Sequence, residues 1–224
     1  MSPKKVLMLG ILLLVPIFLF LFLKGFGTNH YSLPTYYPAI NEATESPIIR
    51  NGDTVFQKIP DFRFVSQEGK TVTQTNLNGG VYVANFFFAS CQDVCKKMSA
   101  QMVRVNEAFR NTPQVKLISY TVDPERDSVS VLKRYAEMYQ ADPAKWLFVT
   151  GPKKQLYTLA QNGYKVSAMQ APGTIPNFIH SEKLILVDKE KHVRGIYDGT
   201  DPQEVDRLIT EITVLLHSYQ QDEK

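Results

Sequence analysis

From Val6 to Leu23 the chain runs for 18 residues without a charge, VLMLGILLLVPIFLFLFL, bracketed by Lys4, Lys5 and Lys24. Crossing a hydrocarbon core as a helix takes roughly 17–25 apolar residues, so this run predicts one N-terminal transmembrane helix, which Pro16 would kink without abolishing. A cleaved signal peptide is the rival reading. Its apolar stretch is shorter, about 7–15 residues, and is followed by a small-x-small cleavage site. The run here ends in Lys24-Gly25-Phe26-Gly27-Thr28, which offers no such site, and no cysteine lies nearby for lipid attachment. The free N-terminus, Lys4 and Lys5 outweigh Lys24, which places the N-terminus in the cytoplasm and the rest of the chain outside. Residues 1–24 are therefore expected to form the anchor.

Residues 25–47 are rich in Pro, Tyr, Asn, Ser and Thr without sustained periodicity, and are expected to be a flexible linker. The pattern then changes. Phe62, Phe64 and Val72 alternate with polar residues around Gln67-Glu68-Gly69-Lys70, a hairpin signature. Val81–Phe88 is nearly continuously apolar, with β-branched and aromatic residues, and predicts a central buried strand. Met98, Met102, Val105 and Phe109 recur at helical spacing, so a helix is expected from Val94 to Phe109. Strands are expected at 115–122, 146–150, 183–188 and 193–197, with helices at 128–139 and 153–161. The last helix opens at Asp201-Pro202-Gln203-Glu204, with N-cap, proline at the first helical position and glutamate at the third, and runs to about Tyr219. Strands alternating with helices predict an α/β fold, and the adjacent closing strands predict a mixed sheet. The domain is expected to span 48–220, with 221–224 as a tail.

Composition narrows the function. A chain of 224 residues suits one domain plus an anchor, and 44% hydrophobic with 21% charged residues is globular. The net charge is only +3, and no basic stripe interleaved with aromatics stands out, so nucleic acid is not expected as a partner. Two cysteines, four residues apart, exclude a disulfide-rich scaffold and draw attention to that pair.

The pair sits in Phe88-Ala89-Ser90-Cys91-Gln92-Asp93-Val94-Cys95-Lys96-Lys97, where a buried strand gives way to a helix. Unpaired N–H groups and the helix dipole favour thiolates there. Residues i and i+4 share a helix face, so both sulfurs can approach one point, and two thiolates suit a soft ion such as Cu(I) or Zn(II). A third ligand is then required. His180, in a loop just before the strand at 183–188, is the best candidate, since such a loop can return to the end of the sheet where the cysteines lie. His30 is in the linker, His192 in a charged turn, and His217 near the end of the last helix. The plainer readings are an inert disulfide between Cys91 and Cys95 and a solvated loop histidine.

At these residues the chain resembles the Sco/SenC family, the thioredoxin-like copper proteins that assist cytochrome c oxidase assembly. The resemblance covers roughly Ile59 to Leu216. It rests on Pro60-Asp61-Phe62-Arg63-Phe64, on Cys91-x3-Cys95, on Thr121-Val122-Asp123-Pro124-Glu125-Arg126-Asp127, on Val131–Tyr135, on Trp146–Gly151, on His180-Ser181 and on Leu186-Val187-Asp188. It implies a thioredoxin-like α/β domain behind one transmembrane helix, with Cys91, Cys95 and His180 as ligands of Cu(I) or Cu(II). The family usually writes its motif Cys-Pro-x-x-Cys-Pro, whereas Gln92 and Lys96 stand in the proline places here. A threonine common two residues before the first cysteine is Ala89, and Ile179 replaces an aspartate often seen before the histidine.

The resemblance implies a metallochaperone that passes copper to the copper-bearing subunit of cytochrome c oxidase. The alternative is a thiol–disulfide oxidoreductase that keeps the partner's copper-binding cysteines reduced, using Cys91 and Cys95 as its redox pair without His180. Another copper chaperone and a thioredoxin-like reductant are the further partners these readings imply. A peroxidase-type reading ranks last, because the threonine and arginine around an attacking cysteine are missing. No Arg/Ser-rich leader is seen, so the expected location is a bacterial inner membrane, single-pass, with the domain facing the periplasm or outside.

Overall fold

In a computed structural model of the chain, the described residues are 2–26, 32–91, 93–166 and 181–222. The chain forms two units, Met1–Ser32 and Leu33–Lys224.

The first unit is helix α1, Pro3–Phe26, with Pro16 inside it. Met8, Leu12, Phe18 and Phe20 are all exposed. A helix that is apolar all round needs an apolar solvent on every side, and this one is long and apolar enough to cross a membrane.

The second unit opens with two short hairpins, β1 (Ile40–Asn41) with β2 (Ser46–Pro47), and β3 (Ile49–Arg50) with β4 (Asp53–Thr54). This stretch overlaps the expected linker, yet it is tied to the domain. Leu33 is buried, the Arg194 guanidinium donates to the carbonyls of Leu33 and Pro34, and the Tyr36 N–H donates to the Val193 carbonyl.

Strands β5 (Arg63–Ser66), β6 (Thr71–Thr73), β7 (Val81–Phe87), β8 (Val115–Thr121), β9 (Trp146–Thr150), β10 (Lys183–Val187) and β11 (Val193–Asp198) build one sheet, in the order β11-β10-β7-β8-β9-β5-β6. The central β7, β8 and β9 are parallel, and the outer strands are antiparallel. The sheet is mixed, as the strand pattern predicts.

Helices α2 (Val94–Ala108), α3 (Val129–Met138) and α5 (Pro202–Asp222) cover one face, and α4 (Lys153–Thr158) the other. Side chains alternate across a strand, and β7 is buried on both faces. Val81, Val83 and Phe87 meet Met98, Met102 and Val105 of α2, while Tyr82, Ala84 and Phe86 pack with Leu156 and Leu159. That double burial explains why β7 reads as an unbroken apolar run. Asn85 escapes the penalty of a buried amide because its Oδ1 accepts from Ser119 Oγ at 2.6 Å, and Ser119 Oγ accepts from Trp146 Nε1 at 2.9 Å.

One expected helix differs. The periodicity predicts a helix over 153–161, but α4 ends at Thr158 and Leu159–Gly163 forms a wider π-turn. The Tyr164 N–H bonds back to the Leu159 carbonyl, five residues earlier, which carries the Tyr164 ring into the core.

Candidate metal centre

Strand β7 delivers the chain into a tight turn at the carboxyl end of the central parallel strands, where open α/β sheets place their sites. The Cys91 N–H donates to the Phe88 carbonyl at 3.2 Å, and α2 begins three residues later. The Cys95 backbone N–H, in the first helical turn, donates to Cys91 Sγ at 3.3 Å. A helix leaves its first four N–H groups without helical partners, and here one of them is satisfied by a sulfur. Asp93, at the N-cap position, makes no side-chain cap bond; its carboxylate pairs instead with Lys97 at 2.9 Å. Both cysteines are free thiols and both are buried.

Burial sets the proton chemistry of Cys95. It pushes that thiol well above the ordinary cysteine range, and the neighbouring Cys91 sulfur, through both a side-chain hydrogen bond and its charge, pushes in the same direction. The helix terminus is therefore not sufficient by itself to make Cys95 a thiolate. A cation or a redox partner has to displace its proton.

Two polar groups support the pair from α3 and from the loop before it. Asp127 Oδ2 accepts from the Ala89 N–H at 3.0 Å and from the Thr121 hydroxyl, so the carboxylate ties the cysteine turn to the end of β8. Burial holds the Asp127 carboxyl above the usual carboxylate range despite these bonds. Ser99, one helical turn after Cys95, shares a hydrogen bond of 3.0 Å with the Tyr135 hydroxyl. Burial raises the Tyr135 phenol, and the neighbouring Tyr139 adds to it. Sequence reasoning offers Asp127 or Ser128 as the cap of the helix expected at 128–139, and Ser128 takes the N-cap position; it gives neither Asp127 nor Tyr135 a part in the cysteine site.

His180 lies outside the described residues, as does Gln92. Strand β10, which begins three residues after His180, pairs antiparallel to β7 with Ile185 opposite Ala84. Lys183 therefore starts beside the end of β7 that leads to Cys91. The Glu182 carbonyl accepts from the Gly199 N–H at 2.6 Å, and the Glu182 charge acts on Lys97 in the first turn of α2. Among the other histidines, His192 belongs to the turn at the opposite end of β10, where its N–H donates to Asp188 Oδ1 at 2.7 Å. Among the described residues no group of three or more Cys, His, Asp or Glu side chains is arranged to hold a metal ion. The described part of the site thus supplies two soft sulfur donors and no third ligand.

Comparison with known proteins bears on this arrangement. The SCO1/SenC family model matches residues 52–217. The chain is 28% identical over 162 residues to the SCO1 protein homolog of Bacillus subtilis, covering 71% of this chain and 83% of the relative. It is 30% identical over 144 residues to a Stutzerimonas stutzeri protein named as copper-binding, covering 61% of this chain and 67% of that protein. The solved structure of BsSco, described as a member of the Sco family of cytochrome c oxidase assembly proteins with a disulfide switch, superimposes with a TM-score of 0.62 at 28% identity. It covers 70% of this chain and 92% of its own. The match takes in the cysteine turn, the whole seven-stranded sheet and most of α5, so the chain belongs to the SCO1/SenC family.

Proposed function

We propose that this protein is a copper-binding metallochaperone that assists assembly of the copper site of cytochrome c oxidase, with Cys91, Cys95 and His180 as the ligands of Cu(I) or Cu(II). The observation that carries this reading is the pair of free thiols at the start of α2, Cys91 in the turn before the helix and Cys95 in its first turn, with the Cys95 N–H on Cys91 Sγ. Two sulfurs so placed form a soft, incomplete site. The start of β10 beside the end of β7 supports His180 as the third donor. The family membership and the copper-binding name of the Stutzerimonas relative support copper over zinc.

In this reading copper is the cargo. Two thiolates and a neutral imidazole around Cu(I) carry a formal charge of −1, which Lys96 and Lys97 partly balance. Loading displaces the Cys95 proton, and unloading returns it. The receiving partner is the copper-bearing subunit of the oxidase. Helix α1 anchors the protein as a single pass in a bacterial inner membrane, with the domain on the periplasmic or outer side.

A second reading rests on the same thiols. With two free cysteines whose side chains are in hydrogen-bond contact, the protein is a thiol–disulfide oxidoreductase that reduces a partner's copper-binding cysteines, and the disulfide switch described for BsSco favours keeping it. Copper titration of the wild-type protein against His180→Ala separates the two. The chaperone reading expects a lost ligand, seen as weaker copper binding and a changed charge-transfer spectrum. Unchanged affinity and spectrum in His180→Ala overturn the three-ligand site. Reductase turnover that survives the substitution supports the second reading.

A further inference from the structure

The face of the sheet opposite α2 carries a groove of about 550 Å³, within the roughly 300–1,000 Å³ typical of small-molecule sites. Its surface is mostly apolar, with Pro60, Phe62, Phe64 and Leu159 beside the neutral polar Gln155, Thr158 and Asn162, and two cations, Arg63 and Lys154, stand on its rim. Phe62 and Phe64 stack with ring centroids 5.3 Å apart. Part of the wall is the π-turn Leu159–Gly163, a rare geometry that occurs mostly as a local bulge and frequently at functional sites.

Two glycines let these walls close. A Cβ at Gly151 would lie 2.5 Å from the Phe64 ring, and one at Gly163 would lie 3.0 Å from Pro60 and 3.1 Å from Leu159.

The charges around the groove are unequal. Asp61, the acid on the rim, is paired with Lys191 at 2.9 Å, whereas the Arg63 and Lys154 side chains have no ion-pair or hydrogen-bond partner among the described residues. An apolar trough beside two unneutralised cations is complementary to a molecule with an apolar body and one anionic head.

We infer that this groove binds a single-chain amphipathic carboxylate, its hydrocarbon body along Phe62, Phe64 and Leu159 and its head group on the Arg63–Lys154 rim. The site is separate from the cysteine pair, because its aromatic residues belong to the core on the other side of the sheet. A cationic amphiphile of equal length shares the body but meets two positive charges, and is excluded.

Photolabelling of the full chain in nanodiscs, with octanoate carrying a terminal diazirine and label sites mapped by peptide mass spectrometry, tests this. Label is expected on peptides containing residues 60–64 and 154–162, competed by octanoate and not by octyltrimethylammonium. Reversing both rim charges, Arg63→Glu with Lys154→Glu, should reduce that label about tenfold or more, as expected for loss of a charge-assisted contact, while Arg63→Lys retains it. These exposed substitutions leave copper binding unchanged, which also checks the fold. Label on those peptides that survives both reversals, or that octyltrimethylammonium competes equally, identifies an adventitious apolar patch and overturns the inference. Label found only elsewhere does the same.

Discussion

The backbone N–H of Cys95 points at the sulfur of Cys91, 3.3 Å away. The start of α2 thus treats the two cysteines unequally. Cys91 receives a hydrogen bond from the helix terminus, and Cys95 is the more deeply buried, with a thiol driven up by burial and by Cys91 itself.

The first prediction follows from that inequality. In metal-free protein at pH 8, iodoacetamide should modify Cys91 well before Cys95, because the thiolate is the nucleophile and burial raises the Cys95 thiol. Peptide mass spectrometry over a time course reads both sites, and equal rates would refute the assignment. Because the raised Cys95 keeps its proton at neutral pH, copper loading at the proposed three-ligand site must release it. Copper affinity should therefore rise with pH, about tenfold per unit for each proton released. Stability runs the other way: the proton-linked contribution of Cys95 is whole below the ordinary thiol range and declines as pH rises above it. Urea melts of metal-free protein between pH 7 and pH 10, set against Cys95→Ser, measure that decline.

Asp127 should matter although it is not proposed as a ligand. Removing its carboxylate leaves the Ala89 N–H and the Thr121 hydroxyl without an acceptor. Asp127→Ala is expected to cost about 1–3 kcal/mol, read from urea midpoints, and Asp127→Asn less because an acceptor oxygen remains. A loss below about 0.5 kcal/mol, the range of ordinary surface substitutions, would show that the tie is not structural. Its raised carboxyl adds a pH signature: the contribution present below the ordinary carboxylate range declines as pH rises through the folded value. Asp127→Asn should abolish that part of the slope.

Trp146 is wholly buried, stacked on Phe148 at 4.9 Å between centroids, with its Nε1 satisfied by Ser119. Trp146→Ala should destabilise by about 3–5 kcal/mol. Trp146→Phe should cost less, since it keeps most of the volume and removes only the Nε1–H donor. As the single tryptophan, Trp146 also reports unfolding by its own fluorescence in the wild-type protein. An alanine variant with an unshifted urea midpoint, read by circular dichroism, would contradict the packing.

The boundary of the domain can be tested by truncation. A chain starting at Leu33 keeps the buried Leu33, the Arg194 bonds to the Leu33 and Pro34 carbonyls, and the Tyr36–Val193 bond. A chain starting at Ile48 loses them all. Burying a leucine contributes about 1.5–3 kcal/mol, so the shorter form should melt measurably lower. Coincident melting curves for the two would make residues 33–47 an ornament rather than part of the fold.

Much of this was legible along the chain, for identifiable reasons. The run Val81–Phe88 announced β7 because burial on both faces leaves no polar alternation to confuse the reading. Met98, Met102 and Val105 announced α2 because helical spacing maps directly onto one buried face. Less was legible where distant residues decide. Composition alone assigned 33–47 to a linker, and nothing local reveals that Arg194, some 160 positions away, holds it. The π-turn after α4 was hidden because residues 153–161 carry an ordinary helical pattern, and its widening is set by the seat of Tyr164 in the core.

The candidate site divides along the same line. By itself the sequence determined the apolar helix, the α/β alternation and the placement of two cysteines at a strand-to-helix turn, since each depends on residues that are neighbours along the chain. Tertiary structure alone decided that Cys95 holds its proton, that Asp127 anchors the cysteine turn, and that β10 begins beside the end of β7. Burial, dielectric environment and contacts between strands set those properties, and they exist only once segments far apart in sequence have packed together.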